Sequence, residues 1–108
     1  MTVARLKRHC STLKRLAKSK PSVTKPIIKG ASKDLINTLS ECSYNVLQGV
    51  VPLSTKQQQK LRRYKTKLRQ CANKRVSQKR KKAILMRGGF LGTLLSPIIS
   101  ILGQILTG

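Results

Sequence analysis

The sequence predicts an all-α fold built around a small helical hairpin. Apolar residues recur at three- and four-residue spacings in four separate stretches, and capping residues stand at the starts of the middle two. That spacing lines one face of a helix. In the first stretch, residues 3–19, the stripe is Val3, Leu6, Cys10, Leu13 and Ala17, with Arg5, Lys7, Arg8, Lys14, Arg15 and Lys18 off it. Lys20-Pro21 ends this helix, because a residue before proline is pushed out of helical geometry. Residues 1–19 are therefore a basic N-terminal helix, and 20–31, with two prolines and a glycine, read as a linker.

The second helix, about 32–48, begins with Ser32 as N-cap and Asp34 at its positive end. Leu35, Ile36, Leu39, Cys42, Ser43, Val46 and Leu47 give it a broad apolar face, and Gly49 supplies a left-handed stop. From Asp34 to Thr55 there is no Lys or Arg, and both acids of the chain, Asp34 and Glu41, lie there. This segment is the expected core. Ser54 and Gln57 form the S-x-x-Q capping box of the third helix, 55–72, whose stripe is Leu61, Tyr64, Leu68 and Cys71/Ala72. After the short Val50–Leu53 turn it should pack antiparallel on the second helix, with Tyr44 and Tyr64 in the core. Arg75 and Lys79 take the next positions of the stripe, so beyond Ala72 the chain is expected to project as a basic extension, completing a 32–87 unit.

The tail, 90–108, has no charged residue. On a helical wheel Phe90, Leu91, Leu94, Leu95, Ile98, Ile99, Ile101, Leu102, Ile105 and Leu106 take one half. Gly92, Thr93, Ser96, Pro97, Ser100, Gly103, Gln104 and Thr107 take the other. Such segregation suits an amphipathic helix on an apolar surface, or one packing through its small face on copies of itself, better than a membrane span. Phe90, Leu91, Leu94, Leu95, Ile98, Ile99, Leu102, Ile105 and Leu106 are its candidate membrane or apolar contacts.

Charge restricts function further. Twenty-four Lys+Arg face two acids, for a net charge of +22. The missing anions must come from a partner, nucleic acid first and anionic membrane second. One His and two acids at no productive spacing leave no acid/base couple, so no enzyme is expected. Cys10, Cys42 and Cys71 lie about thirty residues apart without a C-x-x-C pair, so neither a metal nor a cofactor is expected. Each sits on an apolar stripe as a small hydrophobe. An odd number with no signal peptide before them points to a reducing compartment.

Residues 56–87 hold fourteen cations and no acid, so i,i+4 pairing cannot account for them. The candidate phosphate contacts are Arg62, Arg63, Lys65, Lys67, Arg69, Lys74, Arg75, Lys79, Arg80, Lys81, Lys82 and Arg87. Arg5, Lys7, Arg8, Lys14 and Arg15 join them from the N-terminal helix. Aromatic platforms for single strands and rigid base-reading side chains are lacking, which suits duplex condensation without sequence reading.

Met86-Arg87-Gly88-Gly89-Phe90-Leu91, after a cationic run and before an apolar tail with Pro97-Ile98-Ile99, resembles the core protein X of adenoviruses, precursor of the basic peptide mu. The chain is also similar to the X-type proteins of adintoviruses, the virus-like Polinton/Maverick elements. There the likeness extends through Lys33-Asp34-Leu35-Ile36-Asn37, Asn45-Val46-Leu47 and Val51-Pro52-Leu53-Ser54. The resemblance implies a virion protein that packs double-stranded DNA, in the virion core and host nucleus, alongside other capsid and core proteins. It also implies maturation by a viral cysteine protease that favours an apolar residue, any residue and Gly-Gly, which Met86, Arg87, Gly88 and Gly89 match, with the cut before Phe90. Leu47-Gln48-Gly49-Val50 is followed by Val51 where a second type of site needs glycine, so no cut is expected there. Unlike the Arg-rich adenovirus protein, this chain is Lys-rich with an expected hairpin, which leaves room for self-association. Gly88-Gly89 is open to two explanations, a cleavage site or a hinge between helices. Three functions compete: a DNA-condensing core protein, a membrane-active protein working through 90–108, and a ribosomal or chromatin protein.

Overall fold

The described residues form eight helices, and their apolar faces converge on one core. The computed structural model describes residues 3–18, 20–87 and 91–107, with side chains described except for Val3, Pro21, Arg87 and 101–107. In order the helices are α1 (Val3–Arg8), α2 (Cys10–Lys18), α3 (Pro21–Lys29), α4 (Lys33–Leu47), α5 (Thr55–Arg62), α6 (Lys65–Ala72), α7 (Gln78–Arg87) and α8 (Leu91–Thr107). The described residues contain no strand, so the all-α expectation holds.

The central element is α4. Its N-cap is Ser32, whose hydroxyl accepts from the Leu35 amide at 3.1 Å. Gly49 follows it at φ 74°, the left-handed conformation that glycine adopts without a Cβ penalty. Leu35, Ile36, Leu39, Cys42, Ser43 and Val46 are all buried, as the stripe predicts. α4 packs on α6 and also touches α7 and α8, while α5 packs on α8. The Ser54–Gln57 capping box closes in both directions, at 3.2 and 2.9 Å. The third helix is divided: the Tyr64 amide reaches back only three residues, to the Leu61 carbonyl, and separates α5 from α6. Leu61, Leu68 and Cys71 are buried and Tyr64 is half-buried, so the stripe survives that break.

The first helix, expected to run unbroken over 3–19, is divided at His9 into α1 and α2, and four larger expectations are corrected. Residues 20–31 are not a linker, because Pro21 sits at the start of α3, where its missing amide is harmless, and Gly30 caps the end. The Pro/Gly punctuation marked a helix's ends, and Ile28 and Thr24 from that helix are buried. The basic extension does not project. Asn73 ends α6, its side chain accepting from the Arg75 amide at 2.9 Å, and Ser77 caps α7 by accepting from the Arg80 amide at 3.2 Å. This new start re-registers the face, so Lys81 and Leu85 turn inward while α7 packs on α3, α4 and α6. Tyr44 is 52% exposed, not core.

The fourth correction concerns the tail. Leu91, Leu94, Leu95 and Ile98 are at most 3% exposed and Ile99 is part-buried, while Ser96 and Ser100 face solvent. The apolar surface that α8 covers is the protein's own core, through α2, α4 and α5. A Cβ on Gly92 would lie 3.1 Å from the Ala17 carbonyl oxygen, so α2 and α8 pack almost backbone to backbone. The whole measures 36 × 28 × 27 Å with a radius of gyration of 12.7 Å, close to the ~13 Å expected of a folded chain of about this length. The separate basic helix, hairpin and tail are thus layers of one core.

Candidate nucleic-acid interface

Both acids are used inside the fold. Asp34 opens α4, and α1 lies across it so that Arg8 Nη1 meets Asp34 Oδ2 at 2.9 Å and Arg5 Nε stands 3.6 Å from Oδ1. Arg5 also donates through Nη1 to Glu41 Oε1. His9 Nε2 lies 2.6 Å from Asp34 Oδ2, a pairing that spacing along the sequence did not suggest. The His9 hydrogen bond, then Arg8, holds the Asp34 carboxyl below the ordinary carboxylate range against the opposing effect of burial. Each oxygen of Asp34 therefore has a cationic or imidazole partner, and the group works as a clamp fixing α1 to α4. Arg5 and Arg8, expected to meet phosphates, are instead held by this clamp; Arg8 keeps an exposed side chain and Arg5 does not.

With the acids spent there, the rest of the surface carries no carboxylate side chain to balance it. Lys7, Lys14 and Arg15 are exposed on α1 and α2. The α5–α6 ridge exposes Arg62, Arg63, Lys65 and Arg69, joined by Lys56 and Lys60, which lay outside the expected set. Lys67 is part-buried, its Nζ 5.8 Å from the Tyr64 ring centroid, a cation–π distance. Lys74, Arg75, Lys79 and Arg80 continue the exposed set through the α6–α7 turn. Lys82 is turned aside, its Nζ donating to the Lys29 carbonyl at 3.3 Å, at the negative end of α3. Lys81 is 4% exposed and is no surface contact. The Arg87 side chain lies outside the described residues, as do Gly88, Gly89 and Phe90 and the side chains of Leu102, Ile105 and Leu106. Met86, beside the expected cut, is part-buried against the core. Lys18, Lys20, Lys25, Lys29 and Lys33 are exposed as well.

One cleft, of about 890 Å³, opens between the polar side of α4 and the α6–α7 turn. Lys33, Asn37, Ser40, Glu41 and Tyr44 line it from one stripe of α4, and Asn73, Lys74, Gln78 and Lys81 face them. Gln78 Nε2 donates to Asn37 Oδ1 at 2.9 Å across it, tying α7 to α4. Gln78 Oε1 and Glu41 Oε2 are buried without a partner among the described residues.

Burial pushes the Cys42 thiol up to about 12 and the Cys71 thiol up to about 11, with the Lys81 charge pulling Cys71 back in part. Cys42 and Cys71 are buried and Cys10 is part-buried, and none of the three forms a disulfide among the described residues, in keeping with their place on apolar stripes. No group of three or more His, Cys, Asp or Glu side chains among the described residues could hold a metal ion. No single helix among them is long and apolar enough to cross a membrane; the bent pair Gln78–Met86 and Leu91–Ser100 has the length and composition only when taken together. Comparison with known protein families, with curated proteins and with solved structures finds no match.

Proposed function

We propose that the protein binds and condenses double-stranded DNA without reading its sequence, as a virion core protein acting in the virion core and host nucleus. One observation carries this reading: both carboxylates are committed to the α1–α4 clamp, while cations cover the α5–α6 ridge and the α6–α7 turn. A polyanion is the countercharge that such a surface lacks. Residues 55–72 span at most about 27 Å at about 1.5 Å per residue. Duplex DNA carries a charge per about 1.7 Å, so this ridge faces a stretch with about sixteen phosphates, about eight on the near side. The ridge exposes six cations, Lys56, Lys60, Arg62, Arg63, Lys65 and Arg69, and Lys74 and Arg75 of the adjoining turn bring the number to eight.

Binding should therefore be strongly salt-dependent. With about eight phosphates neutralised, log K should fall with log salt at a slope of about −7. Fluorescence anisotropy on two duplexes of unrelated sequence, across a salt series, measures it. A slope weaker than about −3, or tight binding to one duplex only, would sink the electrostatic mechanism.

Maturation by a viral protease after Gly89 is part of the proposal and rests on the resemblance of Met86-Arg87-Gly88-Gly89-Phe90-Leu91. Because α8 is a core helix, a cut there would nick the chain and leave 91–107 seated on α2. Burial of Leu91, Leu94, Leu95 and Ile98 speaks against the membrane-active alternative for the folded chain. In that alternative α8 would first have to leave the core.

A further inference from the structure

The cationic surface leaves its helices at the α6–α7 turn, residues 73–77, and that turn ends on Ser77. Ser77 is exposed, and its hydroxyl is engaged as an acceptor by the Arg80 amide at 3.2 Å. Lys74 and Arg75 stand three and two residues before it, Lys79 and Arg80 two and three after it, and all four are exposed. The turn is held by two short-range bonds, from the Arg75 amide to Asn73 Oδ1 at 2.9 Å and from the Val76 amide to the Asn73 carbonyl at 3.1 Å. Both close inside the turn, so it can open into an extended form without unwinding a helix, as exposed turns do for modifying enzymes. Other serines lack this combination. Ser54 caps α5 but follows the uncharged Val50-Val51-Pro52-Leu53, and Ser32 caps α4 with Asp34 two residues on, where a second anion would be repelled. Ser11 has Arg8 three residues before it, but it lies inside α2 and Arg8 is held by Asp34.

We propose that Ser77 is a phosphorylation site for a serine kinase directed to basic segments, and that its phosphorylation weakens duplex binding by the surrounding surface. Kinases select substrates by charge pattern, and Lys74-Arg75-Val76-Ser77 offers two cations to an acidic substrate groove. Ser77 Oγ attacks the γ-phosphorus of ATP, and an O–P bond forms as the bond to the bridging β-phosphate oxygen breaks. ADP leaves, and the hydroxyl proton passes to the carboxylate base of the kinase. The phosphoserine carries a charge of about −1.5 to −2 at pH 7. It stands at the positive end of α7, which stabilises it, and it draws countercharge from Lys74, Arg75, Lys79 and Arg80. About two of these cations are thereby lost to DNA. At about 0.9 per phosphate contact the salt slope falls from about −7 to about −5, and affinity at about 0.1 M salt falls about sixtyfold. The regulatory role rests on the duplex-binding reading; the modification itself does not.

The test incubates the full chain with ATP and the cyclic-AMP-dependent protein kinase, and follows intact and fragment masses. One phosphoryl group on Ser77 is expected, absent from Ser77→Asn, which keeps a capping acceptor but has no hydroxyl. The phosphorylated chain should bind duplex about sixtyfold more weakly at about 0.1 M salt, with the shallower slope, and its thermal midpoint without DNA should not fall. Ser77→Asn taken through the same reaction should bind as the untreated chain does. The proposal is overturned if Ser77 stays unmodified, if the phosphorylated chain keeps the full slope, or if phosphorylation unfolds it. A slope weaker than about −3 already in the untreated chain marks failure of the duplex reading. The regulatory role then falls with that reading, while the masses still decide the modification.

Discussion

Removing residues 90–108 should unfold the protein rather than trim it. The decisive quantity is what the rest of the chain loses, since the conformational entropy of the removed helix leaves with it. α2 packs on α8 more than on any other helix, and its buried residues are Leu13 and Leu16, at 0% and 1% exposure. Uncovering two leucines costs about 3–6 kcal/mol at about 1.5–3 kcal/mol each. α4 and α5, which also touch α8, lose further cover. A domain of this kind has about 5–15 kcal/mol in total, so the truncated chain stands at or below its margin. Circular dichroism during thermal unfolding of the full chain and of 1–89, both without DNA, measures the difference. A truncated chain that melts cooperatively within a few degrees of the full one would refute the assignment of α8 to the core.

Three further outcomes follow from particular contacts. Gly92→Val places a branched side chain against the Ala17 carbonyl, where a Cβ alone would stand at 3.1 Å; thermal melts should show a loss of about 1–3 kcal/mol. Gly92→Ala should gain less than the ~1 kcal/mol that helix propensity alone would supply. Asp34 is held below its ordinary pKa by His9 and Arg8, so its stabilising effect is complete above the unfolded value of about 3.9 and is lost as pH falls through the lower folded value. Urea midpoints between about pH 6 and pH 2 should fall in that acid range, and Asp34→Asn should flatten the fall. Ser54→Ala breaks the capping box and should cost about 1 kcal/mol by chemical denaturation.

What could be read from the sequence was what depends on near neighbours. The α4 stripe, its Ser32 cap, the Gly49 stop and the Ser54–Gln57 box are set within a few residues of each other, and all stand as expected. Most of the failures share one physical source: periodicity tells which face is apolar but not what covers it. The tail's face was legible and its partner, α2, was not. Arg5 and Arg8 looked like free cations because their partners, Glu41 and Asp34, lie 36 and 26 residues away. Lys81 looked like one more surface charge because a restart of the helix at Ser77, which turns it inward, is invisible to a register carried on from Cys71. Tyr44 went wrong differently. It lies three residues after Glu41 and four after Ser40, on the polar stripe of α4, and its aromatic ring was given more weight than its position.

If the protein binds duplex DNA as proposed, charge and fold are coupled with opposite signs in its free and bound states. With a net charge of +22 inside 36 × 28 × 27 Å, cations on neighbouring faces repel at separations that the Debye length of about 10 Å at about 0.1 M salt only partly screens. Raising salt weakens this repulsion over the whole surface. It also weakens the Arg5 and Arg8 pairs, but these involve only two acids, so the free protein should become more stable. Under the proposed function, DNA would remove the same repulsion by supplying countercharge, and would stabilise the fold to the extent that the folded surface binds it better than the unfolded chain does. Salt releases that DNA. The thermal midpoint should therefore rise with salt without DNA and fall with salt when duplex is in excess, the two curves meeting where binding is lost. If the folded surface presented its cations no better than a disordered polycation, the bound curve would not lie above the free one at low salt. DNA binding would then rest on the composition of the chain alone, and the shape of the fold would have no part in it.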